Sequence, residues 1–203
     1  MKTSPFLVII VLIGLACGPT AQQETEQYGQ WSTMVGSNTL PDQAWKDNSS
    51  AGYQVEDSVL SLESKDTWLV YDRVLDDFVF ETEFQLEKGG RAVVAFRSEA
   101  AGQEADGYQV NLDHDIDQQN TLGSIIDIAR AKTLKSTQPE TWASLTIEAR
   151  GDHLKIFVND TLVTETHHRR SGEGRIALQA KDGIAKFKRC GSRLWKMKIT
   201  LAH

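Results

Sequence analysis

The chain of 203 residues carries 28 acidic and 22 basic side chains, a formal net charge of −6, and 40% hydrophobic residues. That length fits one domain after a leader is trimmed, and mild acidity without a concentrated basic stripe argues against a nucleic-acid partner. Only two cysteines, Cys17 and Cys190, are present, too few for a disulfide framework if the first is modified.

The chain opens "MKTSPFLVIIVLIGLACGPT", one lysine followed by an apolar run from Phe6 to Leu15 and then small residues. A spanning helix needs ~20 apolar residues, and this run is about half that, so it reads as a secretory signal over 1–17. "GLAC" resembles a bacterial lipobox, which makes Cys17 the expected lipidation site. Simple secretion after Ala16 is the alternative. The polar, small residues that follow suit a tether over 18–40 between membrane and domain. The expected place is therefore the bacterial envelope, periplasm or outer membrane, with membrane contact through the lipid anchor only. Cys190 reads as a buried small hydrophobe.

A single domain is expected over 41–203. A brief helix is conceivable around Pro41–Trp45, but no stretch keeps helical periodicity beyond about ten residues. Strands are expected near Tyr53–Glu56, Val59–Glu63, Thr67–Tyr71, Asp77–Leu86, Arg91–Ser98, Gly107–Asp113 and Thr121–Arg130. Others follow near Trp142–Arg150, His153–Asn159, Thr161–Thr166, Gly174–Ala180, Ile184–Lys188 and Leu194–Leu201. "EKGG", "ARGDH", "VNDT", "SGEG" and "AKDG" punctuate them with turn chemistry. In "DDFVFETEFQL", Phe78, Phe80, Thr82, Phe84 and Leu86 share one face, and Val79, Glu81, Glu83 and Gln85 share the other. "EARGDHLKI" reads as a hairpin turning at Gly151-Asp152. Short strands at this spacing predict an all-β sandwich or barrel of antiparallel sheets.

Several motifs invite chemistry. In "DGYQVNLDHDIDQQNTLGS", Tyr108, Val110 and Leu112 alternate with Gln109, Asn111 and Asp113, so one strand face is polar. Asp113, Asp115 and Asp117 look like the start of an EF-hand, but Gln118 replaces its glycine and Ser124 its closing glutamate. A looser calcium site and an acidic rim loop remain as readings. His114 is a general-base candidate near neutral pH, against an ordinary surface histidine. His167 and His168 point to opposite faces if they lie on a strand, which suits chelation poorly. No nucleophile elbow or P-loop is present. Trp31, Trp45 and Trp68 are either sugar-stacking rings or core packing.

From about Trp45 onward the chain resembles the 3-keto-disaccharide hydrolase family. The resemblance rests on "YQVEDSVLSLE", "DFVFETEF", "AVVAFRS", "GYQVNLD", "LGSIIDIA", "TWASLTIEARGDHLKIFVND", "GEGRIALQAKDG" and "AKFKR" in that order. It implies a two-sheet, concanavalin-like jelly roll and chemistry on 3-keto sugars. A base removes the acidified C2 proton, the aglycone leaves by elimination, and water later adds. In related enzymes a divalent metal can assist; no cofactor is fixed by this sequence. Family members often have Glu where Gln109 stands, Gln where Asn111 stands, Tyr at Ile126 and Arg at Lys188. The resemblance points to Asp113 and Glu83 as catalytic, with Arg97, Gln109, Asn111 and Lys188 holding the sugar and Gln179 joining them. If the strands are neighbours, these side chains converge in one cleft. The expected function is processing of a glycoside or 3-keto-glycoside. A non-catalytic carbohydrate-binding module of the same fold, or a protein-interaction domain, is the alternative.

Overall fold

The computed structural model describes residues 27–41, 45–47, 52–63, 68–99, 107–114, 121–132, 137–169 and 172–196. Among the described residues fourteen strands succeed one another: β1 (Gln27–Tyr28), β2 (Ser32–Thr33), β3 (Trp45–Asp47), β4 (Tyr53–Glu56), β5 (Val59–Glu63), β6 (Leu69–Leu75) and β7 (Phe78–Leu86). Then come β8 (Arg91–Ser98), β9 (Tyr108–Asn111), β10 (Ala143–Arg150), β11 (His153–Val158), β12 (Thr161–His167), β13 (Gly174–Asp182) and β14 (Ile184–Lys196). They pair antiparallel into two sheets. A nine-stranded sheet runs β12-β11-β10-β7-β14-β5-β4, with β1 and β2 also on β14, and a five-stranded sheet runs β3-β6-β13-β8-β9. The expected all-β sandwich is this structure.

The alternation in β7 sets the layering. Phe78, Phe80, Phe84 and Leu86 are fully buried and Thr82 nearly so. They face Ala92, Val94 and Phe96 of β8 and Ile176 and Leu178 of β13 in one core. Burying one such aromatic stabilises by roughly 1.5–3 kcal/mol, and a one-residue slip would turn the set to solvent, so the register is fixed. Phe96 stacks on Tyr108 at 5.0 Å and meets Phe78 edge-on at 6.1 Å, tying β8 to both sheets. The expected hairpin forms between β10 and β11 with Gly151 at φ 54°. Asn159 and Asp160, at φ 47° and 58°, make the tight turn into β12.

Several expected boundaries move. Within the expected tether over 18–40, β1 and β2 pair with β14, so part of that stretch belongs to the sheet; residues 18–26 lie outside the described residues. Met34 and Val35 are core residues there, and Met34 N–H donates to the Cys190 carbonyl at 2.8 Å. Trp45 begins β3 instead of closing a helix, and its indole donates to the Met34 carbonyl at 2.6 Å. Thr121–Arg130 forms turns with isolated bridges rather than a strand. The two expected C-terminal strands are one, β14, broken by a bulge between Lys188 and Gly191. Residues 197–203, and Cys17 with the whole leader, lie outside the described residues.

At the bulge Cys190 is buried, its sulfur 3.1 Å from the Thr82 hydroxyl. Burial pushes its thiol up to about 12, so it is an inert core residue, as expected.

Candidate functional site: the outward face of the five-stranded sheet

In β8 and β9, Ala92, Val94, Tyr108 and Val110 point into the core, so Arg91, Val93, Ala95, Gln109 and Asn111 point away from it. The ladder places them in rows. Val70, Ala177, Ala95 and Gln109 are successive cross-strand partners, and Gln179, Val93 and Asn111 form the next row. Trp68, Val70, Val93, Ala95 and Ala177 make a second apolar cluster on this outward face, with Ile126 packed against it. Asn111 and Gln179 keep only 4% and 8% of their surface exposed, so both are set down into this face rather than standing on open ground. Buried amides are costly unless each finds partners, and neither amide is left with a buried unsatisfied atom, so both are held in set orientations on this face.

The segment after Gly123 extends this sheet past β9. Asn111 N–H donates to the Ser124 carbonyl at 3.0 Å, Gly123 N–H to the Asn111 carbonyl at 2.8 Å, and Ile126 N–H to the Gln109 carbonyl at 2.9 Å. Ile126 therefore stands beside Gln109 at the edge of this face, packed on the apolar cluster.

Asp113 closes one end. Its Oδ2 accepts from Arg91 Nε at 3.0 Å and its Oδ1 from Ala92 N–H at 3.2 Å. The hydrogen bond from Arg91 to Asp113 holds the guanidinium above its ordinary value, and Asp182, 3.4 Å from Arg91, adds to this. A carboxylate retains further lone pairs, so Asp113 can still orient a hydroxyl.

The expected convergence is only partly realised. Gln109, Asn111, Asp113 and Gln179 share this face, but Glu83 and Lys188 do not. Strand β7 neighbours β10 and β14 and not β8, so both lie on the outward face of the other sheet. There Glu83 pairs with Lys188 at 3.0 Å and Arg189 at 2.6 Å, and the Lys188 ammonium stands 4.0 Å over the Trp142 ring. Arg97 is also elsewhere. Its φ of 48° and a bulge against β13 take it out of the alternation and into the end of the sandwich. Its guanidinium donates there to the Asp76 and Gly151 carbonyls and to Asp77. Arg91, not singled out from the sequence, is the arginine that meets Asp113; the β8–β9 ladder sets it two residues beyond the Val93–Asn111 pair.

His114 is not an ordinary surface histidine. Its Nδ1 contacts the Thr137 hydroxyl, while its Nε2 is buried with no hydrogen-bond partner among the described residues. Burial pulls the imidazole below its usual range, partly opposed by the Asp113 charge. A depressed folded-state value means stability is full above the unfolded value, about pH 6.5, and is lost as pH falls through the folded one. His114→Gln is expected to show a shallower loss of stability than wild type between about pH 7 and pH 5 in urea titrations. An identical slope would exclude His114 as the cause.

Among the described residues, no group of three His, Cys, Asp or Glu side chains is placed to hold a metal ion. Asp113 has both oxygens engaged, and Asp115 and Asp117 lie outside the described residues.

A family model described as the 3-keto-alpha-glucoside-1,2-lyase-like domain matches residues 23–190. The chain belongs to this family. As a 3-keto-alpha-glucoside-1,2-lyase-like domain, it is also 29% identical over 131 residues to levanase of Bacillus subtilis (strain 168), covering 60% of this chain. It spans only 18% of that protein. Among solved structures, the carbohydrate-binding module CBM66 of Bacillus subtilis superposes with a TM-score of 0.60 at 22% identity. The superposition covers 73% of this chain and 94% of the module. A Parabacteroides distasonis ATCC 8503 protein proposed to be a glycosyl hydrolase gives 0.66 at 15% identity, covering 81% and 99%. At these identities the two structures establish the shared jelly-roll fold.

Proposed function

We propose that this domain binds carbohydrate on the outward face of the five-stranded sheet. The observation that supports this reading most is the pair of buried amides, Asn111 and Gln179, over an apolar floor. A sugar ring presents apolar C–H faces to such a floor and hydroxyls to amides and to the Arg91–Asp113 pair. The apolar run Phe6–Leu15 ahead of Cys17 supports an exported, lipid-anchored protein that meets its glycan outside the cytoplasm.

A second reading is cleavage or hydration of 3-keto-glycosides on the same face, favoured by the family match over residues 23–190. A base there takes the C2 proton as the C1 substituent leaves, and Asp113 is the acid whose carboxylate reaches this face beside Asn111. Glu83 plays no part in it, being on the other sheet.

Calorimetric titration with levan oligosaccharides and with 3-keto-glucosides tests both. Asn111→Ala and Gln179→Ala are each expected to weaken binding by about tenfold or more, because each removes a hydrogen-bonding group in a desolvated site. Glu83→Gln is expected to leave affinity unchanged. Turnover of a 3-keto-glucoside that disappears in Asp113→Asn establishes the lyase reading, and saturable binding without turnover restricts the domain to recognition. No binding of any sugar would sink both.

A further inference from the structure

The outward face of the nine-stranded sheet has its own organisation. Gly191 on β14 is the cross-strand partner of Glu81 on β7 and of Thr33 on β2. Glu81 belongs to the outward set of β7, so the missing side chain of Gly191 would point outward as well. The Trp31 indole fills that space. A Cβ at Gly191 would fall 2.3 Å from its Cε2 and Cζ2 and 2.4 Å from its Nε1. The glycine thus seats a large aromatic on the sheet, yet Trp31 keeps 42% of its surface exposed. The part of the ring left open gives a ligand an aromatic face to stack on.

Strand β14, which carries Gly191, also carries cations. Arg189, in the β14 bulge at φ 53°, and Arg193 flank Gly191 in sequence on β14. Arg189 has a side chain 79% exposed and is steadied by Glu83 at 2.6 Å. Arg193 leans toward Glu81 at 3.9 Å. Farther along the same face the Arg150 guanidinium stands 5.5 Å from the Trp195 ring. An otherwise acidic chain, of net charge −6, therefore gathers arginines on the face that seats Trp31. Arginine offers planar, bidentate recognition of carboxylate and sulfate, and tryptophan offers a surface for the apolar side of a sugar ring.

We propose that this face, centred on Trp31 with Arg189 and Arg193, is a second glycan-contact surface that takes acidic sugar residues, uronate or sulfate ester. It is separate from the site on the other sheet and does not depend on it. The charge complementarity selects an anionic polysaccharide over a neutral one, and the exposed ring selects a sugar over a simple anion.

Affinity electrophoresis through gels containing polygalacturonate, dextran sulfate or neutral dextran tests it. Wild type is expected to be retarded by one or both acidic polymers, with weakening as salt rises, and not by dextran. Trp31→Ala should weaken retardation by about tenfold, the value of one stacked ring, and Arg189→Gln by several-fold. Asn111→Ala should leave it unchanged, which separates this surface from that site. Polygalacturonate against dextran sulfate distinguishes carboxylate from sulfate as the group recognised. If Trp31→Ala loosens β2 and fails to fold, the exposed Arg189→Gln still decides. The proposal is overturned if no acidic polymer retards wild type, or if a folded Trp31→Ala or Arg189→Gln chain migrates like wild type. Binding only to vesicles of anionic lipid, or Trp31-dependent self-association, would overturn it too.

Discussion

Arg97→Ala is expected to cost about 3–5 kcal/mol of folding stability, seen as a large fall in the urea midpoint, because a buried charged partner disappears from a desolvated network. Arg97 is 1% exposed and joins three pieces of backbone. It rises from β8 of the five-stranded sheet. Its Nε and Nη2 donate to the Asp76 carbonyl at 3.3 and 3.2 Å, and its Nη2 to Asp77 Oδ1 at 3.1 Å, in the turn before β7. Its Nη1 donates to the Gly151 carbonyl in the β10–β11 turn of the other sheet. Asp77 completes the circuit by accepting from Gly151 N–H at 2.6 Å. Burial pulls the Arg97 guanidinium below its ordinary value and Asp77 opposes this, so the charge survives by virtue of its partners.

Two glycines admit this arrangement. A Cβ on Gly107 would fall 2.4 Å from the Phe96 carbonyl oxygen, and one on Gly174 would fall 2.4 Å from the Arg97 carbonyl carbon. Arg97→Lys is expected to recover little, since an ammonium lacks the planar fork that reaches both turns. Glu83→Gln serves as the contrast, with a change within about 0.5 kcal/mol for a surface pair. An Arg97→Ala midpoint as close to wild type as that of Glu83→Gln would show that Arg97 does not hold the sheets together.

Arg97 also shows where the sequence stops being informative. Local alternation reports which residues share a strand face, and it does so well where one face is aromatic, as in β7. It likewise assigned Gln109, Asn111 and Asp113 to a common polar face. It does not report which strands are neighbours. The family resemblance groups Glu83 with Asp113 and strand alternation does not oppose it, whereas the chain crosses to the other sheet between β7 and β8. Nor does it report a left-handed residue inside a strand. Arg97 has the parity of Arg91, Val93 and Ala95, yet φ 48° turns it inward. The strands β1 and β2 were invisible for another reason. Each is two residues long and held by backbone pairing to β14, which leaves no side-chain period to read. The family resemblance supplied the jelly roll; the partner of Asp113 came from the ladder.

Gly123→Ala is expected to lower stability by about 2–4 kcal/mol, through a left-handed backbone and a collision in packed surroundings, and to weaken sugar binding with it. Gly123 has φ 80°, and an added Cβ would lie 2.5 Å from Val163 Cγ2 and 3.3 Å from Val158 Cγ2, both on buried side chains. Its carbonyl accepts the Thr164 hydroxyl at 2.7 Å while its N–H donates to the Asn111 carbonyl at 2.8 Å. One residue thereby fastens β12 of the nine-stranded sheet to β9 of the other. The backbone that carries Asn111, and Ile126 two bonds farther along the ladder, follow wherever Gly123 is pushed. A fall in affinity of at least about tenfold is expected in the protein that remains folded, since a small displacement in a preorganised site is costly. Gly151→Ala is the matched control. It too has a positive φ, 54°, but nothing lies within 4 Å of its added Cβ, so about 1 kcal/mol and no change in affinity are expected. Thermal melts paired with calorimetric titration separate the two effects. Full affinity in a destabilised Gly123→Ala chain would mean that the 121–126 segment supports the sandwich without shaping the sugar site.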